Sequence, residues 1–212
     1  MMIEHLELSQ PVYKKLKDMI LTHELIPGQK IVQEKIAKQL GVSRTPLLKA
    51  LQMLEYEMLV ESIPRRGMFV KNMDWREMVE VFDCRECLEG MAVNLLTEKK
   101  NASYVQRLQK LMEPFLSGEI DIVKYRKADA KFHQTIIDLC GNAMLKRMYF
   151  FGNIYAKVVQ AGLVRAPEET LPEHLKILKA IESGNPKLAE QELRQHVHNS
   201  RKLLVEHLKE SE

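Results

Sequence analysis

The chain has 212 residues, 45% hydrophobic and 29% charged, with nine Gly and eight Pro, a globular composition weighted toward helix and long enough for one large core or two small ones. No apolar run approaches the roughly 18 residues of a membrane span, and the opening "MMIEHLELSQ" lacks the basic-then-apolar order of a secretory signal, so a soluble, cytoplasmic protein is expected. The net charge of +3 resides in the first third: residues 1–72 hold 11 Lys and Arg against 8 Asp and Glu, and residues 73–212 hold 21 of each.

In chain order, "PVYKKLKDMILTHEL" predicts a helix with Val12, Leu16, Met19 and Ile20 on one face. "PGQ" at 27–29 is a turn, and "QEKIAKQL" is a short helix ended by Gly41. "VSRTPLLKALQMLEYEML" starts another, with Ser43 or Thr45 as its cap, Pro46 in the first turn, and Leu47, Ala50, Leu51 and Leu54 as the inner stripe. Two strand-like runs, "LVES" and "MFVKN", follow, joined by "IPRRG".

This is the order of a winged helix-turn-helix over residues 1–72. Arg44 stands at the start of the second helix of the pair, the end that enters a major groove, where a guanidinium can pair bidentately with guanine. Thr45 and the backbone N–H groups beside it can bond phosphate. Arg65, Arg66 and Gly67 form a basic tip. Each piece alone reads equally well as a cap or a solvated turn; together they point to DNA.

The stretch "GVSRTPLLKALQMLEYEMLVESIPRRGMFV" resembles the recognition helix and wing of the GntR family of bacterial transcription regulators. The resemblance implies that Arg44 reads a base, Thr45 contacts phosphate and Gly67 is the wing tip; Ser43, Lys49, Arg65 and Arg66 are expected to join the same interface. The family usually has "VREAL" where this chain has "LLKAL", so Leu48 replaces a DNA-contacting Arg and Lys49 replaces a Glu. Met58 stands where the family's helix-ending Gly is usual, a left-handed position costing Met about 1 kcal/mol.

Residues 73–212 read as six helices, about 74–98, 101–117, 121–140, 142–164, 169–183 and 186–209, an all-α bundle. Cys84 and Cys87 form a C-x-x-C within a helix, with no preceding strand and no second pair, and read as plain helical cysteines. In "ADAKFHQTI" the helical period puts Asp129, His133, Ile136 and Cys140 on one face, flanked by Phe132 and Tyr125. A buried carboxylate needs a partner. His174 shares a face with Leu171, Ile177, Leu178 and Ile181, and His196 with Ala189, Leu193, Ser200 and Leu203; His198 points to water, and His207 inward but three turns from His196. Any one of these His reads first as a hydrogen-bonded core residue. One Asp and three His on three inward faces form a donor set for a divalent transition metal: Zn, Ni, Mn or Fe.

"ADAKFHQTI", "CGNAML" and "EHLKILKAIESGNPKLAEQELRQHV" resemble the FCD ligand-binding domain of the FadR-like branch, and the six-helix count is similar to its shorter VanR-like subgroup. Many such domains carry an Asp and three His as a metal site, matched by Asp129, His133, His174 and His196. Arg85 matches an Arg often found in the first helix; it holds an effector carboxylate or pairs with Glu89 one turn on. The expected protein is a homodimeric regulator that binds double-stranded operator DNA, with residues 73–212 binding the metal and a small metabolite, expected to be a carboxylate. The alternatives are a metal-dependent hydrolase or oxygenase using the Asp/His site, and a metal that only locks the bundle.

Overall fold

The computed structural model describes residues 2–72, 74–151 and 154–210, with side-chain burial for most of these. The chain parts into two units, residues 1–73 and 74–212.

The first unit holds α1 (Met2–Leu21), α2 (Gln33–Leu40), α3 (Arg44–Tyr56) and an antiparallel hairpin, β1 (Val60–Ile63) with β2 (Gly67–Val70). Val12, Leu16, Met19 and Ile20 of α1 are buried, as are Leu47, Ala50, Leu51 and Leu54 of α3, the two faces read from the sequence. α1 starts earlier than its apolar pattern and runs through Pro11. Gly41 closes α2 in the left-handed region, with Val42 N–H bonded to Ala37 C=O across the turn.

α3 ends the same way without a glycine. Met58 takes φ 57°, Leu59 N–H reaches Leu54 C=O at 2.9 Å and Met58 N–H reaches Glu55 C=O at 2.9 Å. These two bonds satisfy carbonyls that the helix end would leave bare, and Leu59 and Leu54 are both fully buried beneath them. These bonds and the burial of both leucines hold Met58 in a conformation its own backbone disfavours.

The second unit is helical: α4 (Trp75–Glu98), α5 (Ala102–Met112), α6 (Ile122–Leu139), α7 (Ala143–Phe151), α8 (Ile154–Ala161), α9 (Pro167–Glu182) and α10 (Pro186–Glu210). The helix read over 101–117 tightens at Glu113–Phe115 into a 3₁₀ turn, because Pro114 has no N–H to continue the α ladder. Over 142–164 stand α7 and α8, on either side of residues 152 and 153, which lie outside the described set. Asp74 caps α4 by accepting from Glu77 N–H at 2.7 Å, and Asp121 caps α6 through Val123 and Lys124 N–H.

α4 packs along α10 and also meets α6, α7, α8 and α9, so it is the central helix of the bundle. α6 packs on α4, α5, α7 and α8, with Tyr125, Phe132, Ile136 and Ile137 in the core. The buried stripe of α10 runs through Leu193, Val197 and Leu204; Leu203, read as inward, is half-buried beside it. No helix among the described residues is long and apolar enough to cross a membrane.

Candidate metal centre and nucleic-acid interface

Three helices bring four side chains to one point. Asp129 and His133 come from α6, one turn apart; His174 comes from α9 and His196 from α10. One donor atom from each lies within 4.8 Å of all the others. His133 Nε2 is 3.3 Å from His174 Nε2 and 3.2 Å from His196 Nε2, and His174 Nε2 is 3.4 Å from Asp129 Oδ1. Exposure is 2% for His133, 0% for His174 and 4% for His196, so water does not satisfy the three imidazoles from outside, while the Asp129 side chain, 13% exposed, stands at the edge of the cluster.

The opposite edge of each imidazole has its own partner. His196 Nδ1 donates to Glu173 Oε2 at 2.8 Å. His174 Nδ1 lies 3.1 Å from the Tyr125 hydroxyl, which is 2.8 Å from Thr170 Oγ1, itself bonded to Ala166 C=O. His133 Nδ1 lies 2.6 Å from Glu89 Oε2, a close contact that is off-axis for the ring N–H. With the Nδ1 proton directed outward in each ring, all three Nε2 lone pairs face inward. Neutral acceptors at 3.2–3.3 Å repel one another, and a cation removes that repulsion. The donor set, three imidazoles and one carboxylate, suits Zn, Ni, Mn or Fe.

Burial, and then the neighbouring His196 and His133, hold His174 well below the ordinary imidazole range. Burial also lowers His196, although Glu173 opposes it. Both rings are therefore neutral at pH 7, the state in which they ligate. Burial would raise Glu173, yet hydrogen bonds from His196, Arg165 and Asn199 bring it to about 2. Arg165 grips both Glu173 oxygens, at 2.7 and 3.0 Å.

Arg85 is buried and donates Nε–H to Glu89 Oε1 at 2.7 Å, and Tyr149 O–H donates to the same oxygen at 3.1 Å. Burial opposes charge on Glu89, but Arg85 and then His133 outweigh it and keep the carboxyl well below its usual range. The i,i+4 salt bridge is thus formed. Glu89 and Glu173 escaped the sequence reading as partners of the cluster. Glu89 carried one signal, an acidic residue one turn from Arg85 on a buried face; Glu173 carried none, since its role depends on how α9 meets α10.

His198 points to water opposite Glu86, and His207 stacks on Trp75 at 5.2 Å between ring centroids; neither joins the cluster. Cys84 and Cys87 are exposed on α4, and Cys140 is buried. Two cavities of about 480 and 420 Å³ lie between α5 and α9, and neither is lined by Asp129, His133, His174 or His196.

In the first unit, Ser43, Arg44 and Thr45 are exposed at the start of α3, and Lys49 and Leu48 are half-buried further along it. Ser43 occupies the N-cap position, but its hydroxyl makes no capping bond. Ile63, Pro64, Arg65 and Arg66 form a turn closed by Arg66 N–H to Ile63 C=O at 3.0 Å, with Arg65 at φ 63° and Gly67 at φ 101°. Arg65, Arg66 and Gly67 are exposed, and the Arg66 guanidinium lies 5.5 Å from the Phe69 ring centroid.

The model for bacterial regulatory proteins of the gntR family matches residues 8–70, and the FCD domain model matches residues 80–199, more than half of the chain. The chain belongs to the GntR family. Its FCD domain places it in the FadR-like branch of these transcription regulators. It is 26% identical to the regulator YdhC of Bacillus subtilis over 93% of this chain and 89% of that one. It is 30% identical to the "Probable D-xylose utilization operon transcriptional repressor" of Paenarthrobacter nicotinovorans over 80% of this chain and 76% of that one. Two solved structures share the fold: a GntR transcriptional regulator from Rhodococcus sp. RHA1 (TM-score 0.80, 22% identity, 93% and 97% of the two chains) and McbR/YncC of E. coli (0.76, 21%, 95% and 98%). These relatives are regulators, not enzymes, and the hydrolase or oxygenase alternative is set aside.

Proposed function

We propose that this GntR regulator is a homodimer that reads operator DNA with Arg44, Thr45 and the Arg65–Gly67 wing tip, with Ser43 and Lys49 in the same interface. Its affinity for the operator is set by a small carboxylate metabolite bound beside a divalent transition metal held by Asp129, His133, His174 and His196. The observation that carries the effector half is the convergence of three Nε2 atoms and one carboxylate from α6, α9 and α10, each imidazole held from behind by a protein group.

The chain's own residues do the positioning. Glu173 and Tyr125 fix the tautomers and orientations of His196 and His174, and Glu89 presses on His133 from α4. When bound, the cation supplies a positive charge on which a carboxylate can be recognised. Because α6, α9 and α10 each contribute a ligand, whatever shifts one ligand strains the others, and α10 transmits this to α4, the helix that begins the domain. In a dimer reading two half-sites, a small change of spacing between the recognition helices loses register. Arg85 is engaged with Glu89, which favours a supporting role behind His133 over direct capture of the effector.

The decisive experiment measures metal in protein purified without chelator or affinity-tag metal, beside His133→Ala and His196→Ala. The expected result is about one ion per chain in the parent and none in either variant. No metal in the parent removes the metal-centred reading. Metal-chelating carboxylates are then screened for an effect on operator binding, and metal without any effect on DNA leaves only a cation that locks the bundle.

A further inference from the structure

The segment before α2 bridges the open edge of β2 and brings a lysine to the wing. The segment before α2 runs beside β2: Gly28 N–H bonds Val70 C=O at 2.9 Å, Val70 N–H bonds Gln29 C=O at 2.9 Å, and Ile31 N–H bonds Met68 C=O at 2.8 Å. This sets Lys30 directly across from Phe69 in an antiparallel bridge. Residues directly opposite in such a pair share a face. Met68 and Val70 are buried on the inner face, so Gly67, Phe69 and Lys30 belong to the outer one.

On that outer face the Lys30 stem lies over Gly67. A Cβ built on Gly67 would meet Lys30 Cε at 3.5 Å. The lysine stem thus passes within contact distance of Gly67, the residue that follows the turn. Lys30 is exposed, and its ammonium has no ion-pair or hydrogen-bond partner among the described residues. Arg65 and Arg66 stand exposed in the turn that leads into β2. On the β1 side of this face Glu61 is paired with Phe69.

We propose that Lys30 is a DNA phosphate-binding residue that completes a three-cation wing tip with Arg65 and Arg66. This rests on the DNA-reading assignment of the first unit and deepens it. A lysine ammonium is a point charge without the planar fork that distinguishes guanine, so Lys30 contributes affinity and salt dependence without sequence preference. Each neutralised phosphate adds about 0.9 to the slope of log K against log salt on duplex DNA.

The test uses the full-length protein and a fluorescent duplex selected by it from a random-sequence pool, with an unselected duplex as competitor. Lys30→Met keeps the stem over Gly67 and removes the charge. The expected outcome is a salt slope smaller by about two units, about 0.9 from each wing of the dimer, an unchanged ratio of selected to unselected binding, and recovery of the slope in Lys30→Arg. A parental slope in Lys30→Met, with its melting temperature also parental, overturns the phosphate contact. Arg44→Ala separates this failure from failure of the underlying reading. Loss of selectivity there, with Lys30→Met unaffected, defeats Lys30 alone, and selection of no duplex by the parent defeats both.

Discussion

His133 and His196 present their Nε2 atoms to each other at 3.2 Å, from rings 17° from parallel that belong to different helices. Two acceptors so placed share either a proton or a cation. Glu173 takes the outward proton of His196, and Glu89 stands against the outward edge of His133. That outer arrangement leaves the inner nitrogens available to the proposed metal, which yields the first prediction.

Replacing an outer partner while keeping every ligand should weaken metal binding. For Glu173→Gln and Tyr125→Phe the expected loss is about 10–100-fold in affinity, measured by competition with a chromophoric chelator. Parental affinity in both would mean that the imidazoles are oriented by packing alone.

Chelator-treated protein should lose stability as the pH falls below about 6.5. His174 and His196 have folded-state pKa values below their unfolded ones, so the unfolded chain binds more protons in that range and stability falls with pH. Above the unfolded value both states are neutral and this contribution is complete. Glu173, held at about 2, adds a second loss once the pH drops through the ordinary carboxylate range toward that value. Thermal melts from pH 8 to pH 4 test this; a midpoint independent of pH from 8 to 5 contradicts the histidine part.

Arg85→Met should be severely destabilising. Glu89 is fully buried, and without the guanidinium it keeps only Tyr149 and the off-axis His133 contact. Breaking one side of a buried pair costs about 3–5 kcal/mol. Urea denaturation reads this directly, and the double variant Arg85→Met/Glu89→Leu should recover much of the loss. A change under 1 kcal/mol in the single variant would assign Arg85 elsewhere, including to an effector.

Met58→Gly should stabilise the first unit by about 1 kcal/mol, because Met58 sits at φ 57° and is 44% exposed, leaving little packing to lose. A rise of about 4 °C in the melting temperature of that unit is expected. A fall would show that the Met side chain contributes more than its backbone strain costs.

The sequence by itself determined the faces. Helical periodicity set Asp129, His133, His174 and His196 inward and His198 outward, because a helix repeats every 3.6 residues whatever it packs against. The order helix, helix, helix, hairpin was legible for the same local reason, whereas Met58 in place of the family's usual Gly pointed to a different helix end, and the structure keeps the left-handed one. Only the tertiary structure decided that three inward faces meet at one point, that Arg85 closes on Glu89, and that Glu89 and Glu173 stand behind His133 and His196. The rotation and axial offset of α4, α6, α9 and α10 against each other are set by how their side chains interlock, and no single helix's pattern carries that information.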